Sequence, residues 1–211
     1  MMPTRWLPVC LILLLGNLAG AEGDSARITY TKEFPGSQPD YIAITVQESG
    51  QASYRTAPDE PPAEFQLSPE STQQVFALAR KLNFFQGASL ESKRKVAQMG
   101  KKTLIFESGT ERHAASFNHT EDLNAVALNT LFEALARTEW HRDRLEYLLR
   151  FDRLGLVKEL LLAESDLDQR LLVEPALLLP VLEKVRSDRS LVNVAQERAA
   201  GMVLKLQPAR Q

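Results

Sequence analysis

Cysteine is almost missing from this chain: Cys10 is the only one, and there are only three histidines. A lone cysteine excludes an internal disulfide and a multi-thiolate metal site. Three histidines leave little material for a multi-histidine metal centre. The sequence contains no G-x-S-x-G elbow, no H-E-x-x-H, no G-x-x-x-x-G-K phosphate loop and no G-x-G-x-x-G. Charge of one sign is not in excess either. The 25 Lys and Arg face 27 Asp and Glu, a formal charge of −2. That balance supplies no long-range field for nucleic acid or an anionic membrane.

The longest apolar run lies at the start. "MMPTRWLPVCLILLLGNLAGAEG" carries one basic residue, Arg5, then apolar residues from Leu7 to Leu15, then Ala19-Gly20-Ala21 in the A-x-A arrangement. This predicts a secretory signal peptide over residues 1–21. The run is about half of the ~20 apolar residues that a membrane-crossing helix needs. Cys10 opens the run, whereas a lipid-modified cysteine would close it. Cleavage after Ala21 removes Cys10 and Arg5 and leaves a cysteine-free chain of formal charge −3. Such a chain enters an oxidising compartment without covalent staples, so burial alone must hold it. The expected location is periplasmic or secreted, with no transmembrane anchor after cleavage. A chain of this length can bury a core as one large domain or two small ones, and a hydrophobic fraction of 44% is ordinary for a globular protein.

Residues 22–138 read as an α+β domain. "RITYT" (27–31) fits a first strand, with Ile28 and Tyr30 on one side. Ile42, Ile44 and Val46 alternate with smaller residues, the period of a strand with one buried face. Glu48-Ser49-Gly50 then turns, and Ala52 and Tyr54 resume the alternation. "FQLS" leads to a helix whose cap is Ser68, with Pro69 at its first position and Val75, Leu78, Ala79 and Leu82 on one face. The order then repeats. Leu104 and Phe106 alternate, a second Glu-Ser-Gly (107–109) turns, and "RHAASF" returns. A second helix follows, capped by Thr120 or Asp122, with Leu128, Leu131, Phe132 and Leu135 at helical spacing. Two β-hairpin–helix units are expected, forming a small antiparallel sheet packed by helices.

From Glu139 to residue 211 the pattern is helical. "TEWHRDRLEYLLRFDRLG" runs to Gly155 as a C-cap, "LVKELLLAES" follows, Glu174-Pro175 opens another helix, and Ser190 caps the last. Pro180 kinks or restarts its helix. No flexible linker separates the halves at 138–140, so close packing is expected.

Four constellations offer chemistry. "NHTED" places His119, Glu121 and Asp122 at a strand-to-helix junction, where a metal or anion could bind; helix capping explains the same residues. "TEWHRDR" holds Glu139, His141 and Asp143, but neighbouring helix positions diverge, which argues against an acid–His–acid relay. Trp140, Arg144 and Tyr147 share a face. They either present an aromatic and cationic surface or pack inward, with Arg144 lying over the rings. Lys93, Arg94, Lys95, Lys101 and Lys102 form a basic stretch that reads as a solvated loop. The leucine-dense stretch 154–182 reads as intramolecular packing. No cofactor is implied.

The order "ITY…YIAITVQESGQASY…FQLSPE…VFALARKLNFF…KKTLIFESGTERHAASF…LFEAL" resembles a family of extracytoplasmic bacterial domains of unknown function, over about residues 27–140. Many members carry a cysteine pair near the first strand, where this chain reads "EFPGSQPDY". The resemblance implies no activity and no catalytic residues. Together these readings point to a non-catalytic binding module whose partner is an extracytoplasmic protein or envelope component. The competing classes are a hydrolase using His119, Asp122 or His141, and an inhibitor presenting a hairpin turn.

Overall fold

The alternation of Ile28 and Tyr30 with threonines makes Arg27–Glu33 (β1) a strand with one apolar side. In the computed structural model, which describes residues 25–207, that strand is the hub of the sheet. β2 (Tyr41–Gln47) flanks it on one side and continues through β3 (Gln51–Arg55) to β4 (Ala63–Gln66). β5 (Lys101–Ser108) and β6 (Glu111–Phe117) lie on the other side. The order is β4-β3-β2-β1-β5-β6, and every pairing is antiparallel. Tyr30 pairs with Ile44 and with Leu104, so the buried residues of three strands line up in one row. The expected signal peptide, with Cys10, lies outside the described residues.

One face of the sheet is apolar. It carries α1 (Pro69–Lys81) and the first half of α2 (Leu123–Phe151). The opposite face is polar, with Thr29 bonded to Thr45 and Thr103 to Ser116 across strands. The chain is therefore an α+β fold with a helical C-terminal region. That region holds α3 (Leu156–Asp168), α4 (Leu179–Ser187) and α5 (Asn193–Leu206). Ser68 caps α1 by accepting from the Ser71 N–H. The buried side of α1 is Thr72, Val75, Phe76 and Ala79, turned slightly from the expected stripe.

Four local expectations change, none of them at 138–140, where α2 runs unbroken for 29 residues, about 43 Å at 1.5 Å per residue. It contains neither Gly nor Pro, so nothing stops it. The second Glu-Ser-Gly is not a loop like the first. Glu107 and Ser108 belong to β5, and only Gly109-Thr110 turn, whereas Glu48-Ser49-Gly50 form the whole first loop. Gly155 does not end α2 but opens α3. Ser190 does not cap α5; it bonds Asp188 instead, and Val192 stands at the cap position. Lys102 is buried, with Nζ donating to the carbonyls of Met99 and Asn118. Pro180 lies in the first turn of α4, which follows directly on a short 3-10 turn at Pro175–Leu178.

Two apolar cores result. The first spans sheet, α1 and the N-terminal half of α2. The second joins Leu145 and Leu148 of α2 to α3, α4 and α5. The halves are also tied directly. The Glu174 carboxylate accepts from the backbone N–H and hydroxyl of Ser68, and the Thr138 hydroxyl donates to the Val173 carbonyl. Val173 and Leu177 pack on the first core.

Candidate functional site

The junction before α2 is a cap. Asp122 Oδ1 accepts from the N–H groups of Asn124 at 2.9 Å and Ala125 at 3.0 Å. Glu121 takes an ion pair from Arg94 at 2.9 Å and a hydrogen bond from Ser92. The His119 carbonyl accepts from the Ser92 N–H, and its ring has no hydrogen bond or ion pair among the described residues. No group of three metal-binding side chains occurs among the described residues. The basic stretch is dispersed. Arg94 is spent on Glu121, and burial lowers the pKa of Lys102.

The boundary between the two cores falls on α2, and three polar side chains are buried there: Thr138, Glu139 and His141. A buried polar group is costly unless partnered. His141, only 4% exposed, meets that demand twice. Its Nδ1 lies 2.7 Å from Glu159 and its Nε2 3.0 Å from Asp166. Both carboxylates come from α3, so the ring is a latch between helices. Asp166 also receives Arg137 at 3.4 Å. Burial works against a charge on the ring, but hydrogen bonds to Glu159 and Asp166 outweigh it, and the His141 pKa is raised.

Glu139 is the opposite case. It is 0% exposed. Arg142 Nη2 approaches Oε2 to 2.6 Å, yet neither oxygen accepts a well-directed hydrogen bond. Burial raises its pKa to about 7, against the pull of Arg142 and with help from Asp143 and Glu146. The neighbouring Tyr54 hydroxyl is also buried without a partner. Its pKa is raised by burial first, then by Asp143 and Glu139. Arg142 stacks over Phe65, its guanidinium 5.8 Å from the ring centre.

An acid–His–acid arrangement therefore exists, but its acids are not the neighbours in "TEWHRDR". Spacing within one helix could not disclose partners on another. A cavity of about 610 Å³ runs between the β2–β3 turn and α1, beside Glu48, Ser49, Leu67, Phe76 and Arg80. Another, of about 230 Å³, is lined by Lys32, Pro39, Tyr54, Glu133, Arg137 and Trp140. Neither is lined by His141.

Trp140, Arg144 and Tyr147 do share one side of α2. Trp140 is half-buried at the 230 Å³ cavity. Tyr147 does not pack inward. It is 52% exposed, with the Arg144 guanidinium 5.6 Å from its ring centre. The stripe goes on further than expected. Phe151 lies against Tyr147, ring centres 5.1 Å apart, and is 72% exposed. Leu154, in the turn to α3, is 91% exposed. Positions 140, 144, 147, 151 and 154 repeat at alternating steps of four and three. That spacing was present in the sequence, and continuing it would have found Phe151 and Leu154.

No family model matches the chain, and no curated protein matches it.

Proposed function

We propose that the chain is an exported, non-catalytic binding module that engages a protein or envelope component through the exposed side of α2. The carrying observation is the run Arg144, Tyr147, Phe151: the guanidinium lies over the Tyr147 ring, that ring lies against Phe151, both rings are exposed, and the exposed Leu154 follows in the next turn. Folding gains nothing from leaving such residues in water, and clustered exposed apolar residues mark contact sites. Tyrosine and arginine are also the residues that contribute most when a surface becomes buried against a partner.

The hydrolase reading has less support. His141 bonds two carboxylates but is enclosed, and a catalytic group must touch its substrate. His119 has no carboxylate on its ring among the described residues. An inhibitor presenting the first hairpin turn would do so through Glu48 and Ser49, which are exposed and polar, while Gly50 is buried against Thr72 and Gln66.

A photo-crosslinking side chain at position 147 or 151 of the exported protein tests the reading. Irradiation in the native envelope should give discrete adducts from both positions and none from Ser53 on the polar sheet face. Equal labelling from all three positions would overturn the assignment of the surface. Recovery of the uncleaved chain from the cytosol would overturn the export.

A further inference from the structure

The tip where α2 meets α3 has a neighbour. Arg153, in that turn, bonds the Ser190 hydroxyl and pairs with Asp188 at 3.6 Å, which sets the α4–α5 turn beside it. Residues 147–158 and 184–192 together hold six Lys and Arg against two Asp, with Glu146, Glu159 and Glu183 at their borders. Glu159 is enclosed with His141 and Glu183 is paired with Arg186, which leaves unpaired positive charge at one end of the helical region. Both Asp are engaged within the tip: Asp152 accepts from the Gly155 N–H, and Asp188 binds Ser190 and Arg153. Arg186 is held by Glu183, while Arg150, Lys158 and Arg189 have no ion pair among the described residues.

Two further features share this end. The helices α3 and α5 both start here, and neither has a side-chain cap. At α5 the Ala195 N–H turns back to the Val192 carbonyl, and the start of a helix attracts anions. Phe151, Leu154 and Val192 project from the same two turns, Val192 at 56% exposure. Side chains this exposed stand on a convex surface. A rigid partner would need a matching hollow for each, whereas a lipid interface deforms around them.

We propose that this tip docks on an anionic phospholipid bilayer. Phe151, Leu154 and Val192 enter the interface, and the arginines, Lys158 and the two helix starts meet lipid phosphates. The chain lies on the membrane and does not cross it; among the described residues no helix is long and apolar enough to span. The proposal rests on the reading of α2 as a binding surface and names its partner class.

Vesicle sedimentation with residues 22–211, which carry the whole described fold, tests it. The protein should pellet with vesicles of phosphatidylglycerol and phosphatidylcholine, weakly with phosphatidylcholine alone, and should be released by 0.5 M salt. Each basic residue near an anionic surface contributes about fivefold, so Arg150→Gln/Lys158→Gln/Arg189→Gln should weaken partitioning roughly a hundredfold. Phe151→Ser/Leu154→Ser should weaken it as well, with unchanged circular dichroism. Failure of the parent to pellet overturns the proposal, and so does pelleting that the serine variant leaves intact. If vesicles are ignored while position 151 crosslinks to an envelope protein, the binding-module reading stands and the lipid assignment falls.

Discussion

Glu139→Gln is a substitution with a calculable, pH-dependent sign. The carboxyl is fully buried and carries no well-directed hydrogen bond, and its pKa is raised to about 7 from an ordinary 4.5. Below pH 4.5 the group is protonated whether the chain is folded or not. Between pH 4.5 and 7 the folded chain keeps a proton that the unfolded chain releases, so stability falls as pH rises. Above pH 7 the cost is complete. The gap between 4.5 and about 7, at ~1.4 kcal/mol per pH unit, comes to about 3 kcal/mol. Glutamine has the same shape and no charge. The variant should match the parent within ~1 kcal/mol at pH 5 and exceed it by up to about 3 kcal/mol at pH 8.5. The gain is an upper bound, because Arg142 loses its closest carboxylate and keeps only Asp143 at 3.9 Å and the Phe65 ring. Urea unfolding of both proteins at pH 5, 6.5 and 8.5 measures the difference, and the titration of His141 cancels because both proteins share it. An equal loss of stability in the variant at all three values would refute the reasoning, since it would mean that an ionised Glu139 holds the fold together.

His141→Gln should act with the other dependence. A raised histidine pKa contributes stability fully below about 6.5, and the contribution is lost as pH rises through the folded value, so the deficit should be largest near pH 5.5 and shrink by pH 9. With Glu159 and Asp166 left without their shared cation, the acid-side deficit should be about 3–5 kcal/mol in urea unfolding. Gly50→Ala should cost ~1–3 kcal/mol in thermal unfolding, because φ is +84° and the new Cβ would stand 2.5 Å from Gln66 Nε2 and 3.0 Å from Thr72 Oγ1. Gly36→Ala, at φ +88° in open space, should lose only the backbone part, ~1 kcal/mol. Asp122→Ala removes the acceptor for two N–H groups at the start of α2 and should cost ~1 kcal/mol, while Asp122→Asn should be nearly neutral.

Most of the sheet was legible because a strand with one buried face must alternate. Ile28, Tyr30, Ile44, Leu104 and Phe106 announce their own side without reference to any partner. Helix starts were legible where the signal is local: Ser68 and Asp122 cap through bonds to N–H groups two or three residues on. The local signals misled at Gly155 and Ser190. Each lies in a tight turn between two helices, where a glycine or serine serves either neighbour. The surface stripe was half legible, since Trp140, Arg144 and Tyr147 declare a common side but not whether it faces protein or water.

The sequence by itself thus determined the period of each element, hence which residues could be buried together. It could not determine what lies across from them. The carboxylates that hold His141 stand 18 and 25 residues further along, on a helix that returns alongside α2. The positive tip is assembled from two turns more than 30 residues apart. Periodicity is a property of the nearest few residues, whereas ion pairs, enclosed carboxyls and shared surfaces depend on distances between elements, and those distances exist only once the cores have closed.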